Sequence, residues 1–234
     1  MRLVTWNYNG ALRRKYHLID ALDADILVVQ ECEDPAQSTA DYQSWAGEHA
    51  WIGLTKNKGV GIFPRRGQSI ERLDWNQEHG GLFLPVRIAD SITLLGVWTL
   101  GRKSTGQYSY IAQFWHYIQL NRPNLEQANL VCGDFNSNQI WDATRKKRNH
   151  SDCVRELGEI GFRSLYHLTM GEEQGLETQP TFYLHRSELK PYHIDYVFAH
   201  DSMLMGKVPR VQVGNRGMWI NVSDHMPVIA EFRQ

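Results

Sequence analysis

Polar side chains stand at the ends of several apolar segments, where a buried strand would otherwise be expected to continue. Such short apolar runs predict strands that are covered on both faces. Together their ends supply four carboxylates, several amides and one histidine. The five segments are residues 3–6 followed by Asn7-Tyr8-Asn9-Gly10, residues 26–29 followed by Gln30-Glu31, residues 130–133 followed by Asp134-Phe135-Asn136, residues 193–197 with Asp195 among them, and Ser223-Asp224-His225 ahead of residues 228–232.

A carboxylate at the end of a buried strand costs free energy unless it is paired with a cation or bound to a metal. Any one of these residues could instead cap a turn, which is the commoner role of a lone Asp or Asn after a strand. Five such ends favour a shared site, because strand ends in layered α/β folds meet at one rim. The sequence therefore predicts one site built from all five segments.

The types of these side chains also indicate which metal the site would bind. Carboxylate and amide oxygens, with few nitrogens and no thiolate cluster, suit a hard cation such as Mg²⁺ or Mn²⁺. A zinc site would need a tighter grouping of His and Cys residues than the sequence offers. Mg²⁺, with Mn²⁺ as a substitute, is therefore the predicted cofactor.

The elements that must position these residues are mostly strands. Three helices are predicted, over residues 14–22, 108–120 and 152–160, with Ser151 as N-cap and Gly161 as C-cap of the third. This pattern predicts two β-sheets packed face to face with helices outside. The predicted strands cover residues 3–6, 26–30, 59–63, 82–88, 92–98, 129–132, 194–198 and 228–232.

Length and composition predict one globular domain over residues 1–234. The chain is 42% hydrophobic and 22% charged, and no repeat or linker divides it. Its three cysteines are widely spaced, as is typical of reduced thiols in an intracellular protein. With no signal peptide and no apolar run long enough to span a bilayer, we expect a cytoplasmic protein without a membrane partner. A net charge of −1 disfavours a purely electrostatic nucleic-acid binder but leaves enzymes open.

The same five motifs, in this order and at these separations, resemble those of the endonuclease/exonuclease/phosphatase superfamily, especially its exonuclease III-like and deoxyribonuclease I-like members. The resemblance runs nearly end to end and implies a four-layered α/β sandwich of two mostly antiparallel sheets flanked by helices. It also implies site roles. Glu31 matches the chief metal ligand, and Asn9 and Asp224 match residues near the cation. Asp134 and Asn136 match the pair that handles the attacking water. Asp195 and His225 match an acid–histidine pair, and Asn7 matches an amide on the phosphate side.

Phosphodiester chemistry is consistent with these roles. A divalent cation offsets the charge that builds on the phosphoryl oxygens, and the attacking water needs a base. Asp195 beside His225 would fix the imidazole tautomer and favour its protonated form. Whether Asp134 or His225 takes the proton from water stays open at this point.

Trp98 departs from the family pattern, which has Tyr or His at this strand end. An indole N–H donates one hydrogen bond but cannot exchange a proton. Contact with the phosphate, stacking on a base and simple packing all stay open for Trp98.

A nuclease acting on DNA or RNA, assumed to be a monomer, is the first choice of function. The basic run at residues 145–148 follows the Asp134 motif, so Arg145 is a predicted phosphate contact, and Arg102-Lys103 follow the Trp98 strand. Solvated surface is the alternative for both runs. Trp141 and Tyr108 could stack on bases or belong to the core. The short segment 182–192 disfavours a dedicated abasic-site enzyme. Two alternatives remain: a phosphodiesterase or phosphatase that acts on a lipid headgroup or small molecule, and an inactive binding protein.

Overall fold

Two six-stranded sheets pack face to face. The computed structural model describes residues 1–78, 81–101, 108, 110–144 and 147–232. With strands numbered in chain order, the first sheet runs β13 (Arg210–Val213), β14 (Val228–Glu231), β1 (Arg2–Asn7), β2 (Ile26–Cys32), β4 (Lys58–Pro64) and β3 (Ala50–Thr55). The second runs β5 (Ile70–Arg72), β6 (Leu82–Ile88), β7 (Ile92–Trp98), β8 (Leu130–Asp134), β12 (Asp195–His200) and β9 (Phe162–Ser164). A small hairpin joins β10 (Phe182–Tyr183) and β11 (Pro191–Tyr192).

Helices cover the outer faces of both sheets. Apolar side chains of the two inner faces, such as Leu3 and Leu130, form the core between the sheets, and each such burial contributes about 1.5–3 kcal/mol. Two further clusters pack helices on the outside, so the molecule has the four layers that the sequence predicted. The helices are α1 (Leu12–Asp20), α2 (Ala40–Ala46), α3 (Ile111–Leu125), α4 (His150–Glu159), α5 (Leu165–Met170), α6 (Asp201–Leu204) and α7 (Arg216–Trp219), with 3₁₀ turns at Pro35–Gln37, Gln139–Thr144 and Leu184–Arg186.

The sheets are mostly antiparallel, as predicted, with one parallel pair in each. β1 pairs with β2 in parallel and β7 with β8, while the other pairings are antiparallel. Because β12 runs against β8, its first residue, Asp195, stands opposite the last residue of β8, Asp134. The ends of β1 and β2 reach the same rim from the other sheet. This topology gathers the polar strand ends.

Two helix boundaries correct the sequence-based predictions. Ser151 is not the N-cap of α4: Asn149 caps it, since its side chain accepts from Asp152 N at 2.9 Å while Asp152 accepts from the Asn149 backbone. This reciprocal pair is a capping box. The C-cap is Ile160 rather than the predicted Gly161, which follows it in the left-handed region (φ 87°). Helix α3 starts at Ile111 and continues past residue 120 through a kink at Asn121, two residues before Pro123, which has no N–H to donate.

No helix among the described residues is both long and apolar enough to cross a membrane.

Candidate active site

Asp195 and His225 form a buried hydrogen-bonded pair. The distance from His225 Nδ1 to Asp195 Oδ2 is 2.9 Å, and both side chains are almost fully buried. The Ser223 hydroxyl fixes the turn before the histidine, because it accepts from His225 N at 3.0 Å and donates to Asn7 O at 2.7 Å. The Phe182 ring packs against the imidazole with centroids 4.5 Å apart. The imidazole is therefore held with Nδ1 towards Asp195 and Nε2 towards Asp134.

Asp134 is the centre of a polar cluster at the rim. Its Oδ2 atom lies 4.0 Å from His225 Nε2 and accepts from Asn7 Nδ2 at 2.9 Å and from Asn136 Nδ2 at 3.0 Å. Its Oδ1 atom accepts a hydrogen bond from Asn136 N at 2.8 Å. This hydrogen bond closes a tight turn in which Asn136 has a left-handed backbone conformation (φ 46°). The structure thus brings together all five predicted catalytic residues: Asn7, Asp134, Asn136, Asp195 and His225.

The electrostatics of the cluster favour a protonated imidazole between two carboxylates. Burial alone would lower the pKa of His225, but the charges of Asp195 and Asp134 raise it to about 9. Burial, followed by repulsion from Asp195, raises the pKa of Asp134 to about 7. These shifts favour a protonated His225 at neutral pH and bring the pKa of Asp134 into the range that suits a general base.

Glu31 reaches the same rim from β2. It adopts a left-handed conformation (φ 60°) at a bulge between Gln30 and Cys32, which directs its side chain out of the regular strand pattern. Its Oε1 atom accepts from Asn7 Nδ2 at 3.3 Å, and its Oε2 atom pairs with Lys58 Nζ at 3.0 Å. The Asn7 amide therefore links this partly exposed carboxylate to the buried Asp134.

The other two predicted metal ligands, Asn9 and Asp224, are not fully buried. Asn9 lies at the surface and its backbone N–H donates to Asn7 Oδ1 at 3.1 Å. Asp224 is half-buried, and its backbone carbonyl accepts from Tyr183 N at 2.9 Å. Neither hydrogen bond uses the side-chain oxygens, which is compatible with a role in metal binding.

The donor set at Glu31 fits a hard cation. Its carboxylate is partly exposed and offers oxygens, the ligands that a hard cation prefers, and one of these oxygens is paired with the Lys58 ammonium group. Asp134, Asp195 and His225 form a second group with metal-ligand atoms within 4.8 Å of one another. In that group the imidazole and the carboxylates are already engaged with one another and with two asparagines.

The two predicted substrate contacts differ in how the structure places them. Trp98 is 4% exposed and packs in the core between the sheets, with Lys58 Nζ 5.5 Å from its ring centroid. Arg145 lies outside the described residues, as do Arg102 and Lys103. At the end of the same basic run, the Arg148 guanidinium lies 5.5 Å from the Tyr108 ring centroid.

Sequence reasoning missed a buried polar network that supports the cluster. Asn138 Nδ2 lies within hydrogen-bonding distance of Glu177 Oε2 (3.0 Å), His193 O (2.9 Å) and the Tyr196 hydroxyl (3.0 Å). It ties the loop after Asp134 to the strand that begins at Asp195. Asn138 and Tyr196 are polar residues close to the Asp134 and Asp195 motifs, and this proximity could have indicated their part in the network. Nothing in the sequence pointed to Glu177.

Glu177 gives this network a testable pH dependence. Burial alone would raise its pKa, but hydrogen bonds from His167, Asn138 and Gly175 N lower it to about 2. Its contribution to stability is therefore complete above the unfolded-state pKa, near 4.5, and is lost as pH falls towards 2. We expect Glu177→Gln to lower the free energy of unfolding at pH 7 by about 1–3 kcal/mol. In urea titrations the gap from wild type should shrink between pH 5 and pH 3. Exposed Glu173→Gln is the control, and a pH-independent gap would contradict the assignment.

Solved structures with the same fold support the architecture. The 3′ phosphatase NExo from Neisseria, bound to product DNA hairpin, is 18% identical over 100% of both chains, with a TM-score of 0.73. The 3′-5′ exonuclease NExo from Neisseria meningitidis is 17% identical over 100% of both chains, with a TM-score of 0.72. An AP endonuclease from Archaeoglobus fulgidus is 18% identical over 100% of both chains, with a TM-score of 0.68. A comparison with curated proteins found no match.

The family model described as Endonuclease/Exonuclease/phosphatase family matches residues 4–225, which include all five motifs. A phosphoester-hydrolysing enzyme accounts for the acid–histidine pair, the adjacent carboxylate and the rim of oxygen donors in one site. The chain belongs to the Endonuclease/Exonuclease/phosphatase family.

Proposed function

We propose that the protein is a Mg²⁺-dependent nuclease that hydrolyses phosphodiester bonds of nucleic acid. The observation that carries the proposal is the Asn7 amide, which hydrogen-bonds both Glu31 and Asp134. A carboxylate suited to a hard cation thereby stands beside a buried acid–histidine pair. These are the two components that hydrolysis of an anionic diester requires.

In this proposal each side chain has a separate task. When bound at Glu31, a divalent cation supplies charge neutralisation at a non-bridging phosphate oxygen. Asn136 helps to orient the attacking water, and as its oxygen bonds to phosphorus its proton passes to Asp134. The bond from phosphorus to the leaving oxygen breaks, and the leaving group takes a proton from solvent. His225, protonated and held by Asp195, donates a hydrogen bond from Nε2 to the phosphoryl oxygen.

Nucleic acid is the favoured substrate for two reasons. The structural neighbours include a 3′ phosphatase bound to product DNA hairpin, a 3′-5′ exonuclease and an AP endonuclease. The basic run at residues 145–148 follows the loop that carries Asp134 and Asn136, so cationic side chains would reach phosphates near the scissile one.

A substrate panel tests the proposal. Single-stranded DNA, duplex DNA, a duplex ending in a 3′-phosphate, RNA, a lipid diester and an aryl phosphodiester are incubated with the protein and Mg²⁺. We expect cleavage of at least one nucleic acid at a higher kcat/KM than for the lipid and aryl diesters. Turnover of the lipid diester alone would favour the non-nucleic-acid alternative. No turnover of any substrate would indicate an inactive binding protein.

The basic run predicts a specific salt response. Replacing residues 145–148 by Ala should weaken nucleic-acid binding more than it slows hydrolysis of the aryl diester, and should flatten the salt dependence of binding. Binding titrations across salt concentrations measure the slope. Arg66→Ala is the control, because Arg66 pairs with Asp25 at the opposite end of β2 from Glu31. An unchanged slope would show that the basic run is ordinary solvated surface.

Lys58 is expected to oppose metal binding at Glu31. Its ammonium group lies 3.0 Å from Glu31 Oε2, so a cation must displace it or bind beside a like charge. Lys58→Met should therefore raise Mn²⁺ affinity roughly 1.5- to 5-fold, the range expected for an exposed ion pair. Isothermal titration measures the affinity, with exposed Lys56→Met as the control on the same hairpin. Unchanged or weaker Mn²⁺ binding would show that the ion pair does not compete.

A further inference from the structure

A cleft of about 260 Å³ opens directly beside the catalytic loop. One wall is the start of α3, at Tyr110 and Ile111, and another is the 3₁₀ turn that carries Trp141 and Thr144. Asn136 and Ser137 form the side nearest the reacting groups. Because Asn136 also hydrogen-bonds Asp134, anything bound in this cleft lies next to the proposed position of the scissile phosphate.

The cleft presents aromatic surface to solvent. Trp141 is 37% exposed and Tyr110 is 38% exposed. Large aromatic side chains contribute most to the stability of a protein when they are buried. The Trp141 indole is held from one side by Tyr192, with ring centroids 5.2 Å apart. It therefore forms a supported flat surface, which is the kind of surface on which planar rings stack.

Asp142 is the one carboxylate among the described residues that line the cleft, and it is already engaged. Asp142 accepts hydrogen bonds from His150 N at 3.0 Å, from Ser151 N at 2.9 Å and from the Ser151 hydroxyl at 2.5 Å. Its charge is thus satisfied by the N-terminal turn of α4, where a negative charge is favourable. An incoming neutral ring would not have to desolvate an unpaired carboxylate.

The size and chemistry of the cleft suit one planar heterocycle. Its volume lies just below the roughly 300–1,000 Å³ of sites that enclose drug-sized ligands. The Asn136 Oδ1 atom and the hydroxyl oxygens of Thr144 and Ser137 could accept hydrogen bonds from the polar edge of a ring whose face lies on Trp141. Base stacking on aromatic side chains is the general means by which proteins hold single nucleotides without reading sequence.

We propose that this cleft receives the nucleobase adjoining the scissile phosphate, stacked on Trp141. The inference rests on the proposed nuclease function and extends it, because it assigns a base-binding subsite on one side of the phosphate. Trp141 is then a substrate-binding residue that acts on affinity rather than on the chemical step.

Three small esters with the same leaving group test the subsite. Thymidine 5′-(4-nitrophenyl phosphate) and its 3′ isomer carry one base on either side of the phosphate, and methyl 4-nitrophenyl phosphate carries none. Trp141→Ala should raise KM for one thymidine ester roughly 5- to 100-fold, the range measured for base–aromatic stacking, with kcat little changed. Hydrolysis of the methyl ester should be unchanged, and Trp141→Phe should retain most of the affinity.

Ile140→Ala is the matched control, because Ile140 is 51% exposed on the same turn but does not line the cleft. Equal loss on all three esters in Trp141→Ala would overturn the inference and show a structural role, and no loss on either thymidine ester would also overturn it. Failure of the wild type to hydrolyse any ester would count against the proposed function instead. In that case, calorimetric binding of thymidine 5′- and 3′-monophosphate still decides the subsite: weaker binding in Trp141→Ala supports it, and equal binding overturns it.

Discussion

Chelation of divalent metal with EDTA is expected to abolish hydrolysis, and Mg²⁺ or Mn²⁺ should restore it. The substrate diester is anionic and the buried cluster adds two carboxylates, Asp134 and Asp195, against the one imidazolium of His225. In the proposed mechanism, a divalent cation held by Glu31 would supply further positive charge. Ca²⁺ should support less turnover, because its looser coordination positions the reacting atoms less tightly.

Glu31→Gln should reproduce the effect of chelation. The substitution keeps the shape of the side chain and an acceptor for Asn7 but removes the charge that attracts the cation. Loss of several kcal/mol of charge stabilisation corresponds to a fall in kcat/KM of roughly 10²- to 10³-fold. Calorimetry should show weakened Mn²⁺ binding while the unfolding temperature stays close to that of wild type. Full activity in EDTA would contradict the metal assignment, regardless of the activity of Glu31→Gln.

The sequence predicted the buried part of the fold better than its edges. Strands β6 and β7 occupy the predicted residues, 82–88 and 92–98, because continuous apolar runs bounded by turns leave few alternatives. Strand β3 was missed because it is an edge strand, half-exposed towards its end, without a regular apolar pattern. Strand β13 is a four-residue edge strand with only one fully buried position. Edge strands owe their conformation to their neighbours, which a local pattern does not encode.

The five predicted catalytic residues and Glu31 converge in the structure, while several of their contacts could not be inferred. Strand order brings Asp195 opposite Asp134, and both were recognisable as carboxylates at strand ends. Lys58 reaches Glu31 only because of the register between β2 and β4 and the bulge at the glutamate. Glu177 lies in an irregular loop, where only tertiary packing fixes the conformation. The roles of the converging residues stay predictions until variants are measured.

His225→Ala is expected to lower turnover by roughly two to four orders of magnitude, the usual range for a positioned acid–base group. The imidazole is buried, the charges of Asp195 and Asp134 raise its pKa to about 9, and its Nε2 atom lies 4.0 Å from Asp134 Oδ2, so the substitution removes the hydrogen-bond donor of the proposed mechanism. The loss should be confined mainly to kcat. Ser223→Ala is a useful comparison, because it loosens the turn before His225 and should cost far less than removal of the imidazole.

The double variant decides whether Asp195 acts through His225. Asp195→Asn should have an effect similar to or smaller than that of His225→Ala, because an amide can still accept the Nδ1 hydrogen bond but cannot balance the imidazolium charge. Losing that charge lowers the pKa of His225, so the alkaline limb of the pH–rate profile should move to lower pH. If the 2.9 Å pair works as a unit, the double variant should be little worse than the worse single. Losses that multiply in the double variant would show instead that the two side chains work separately.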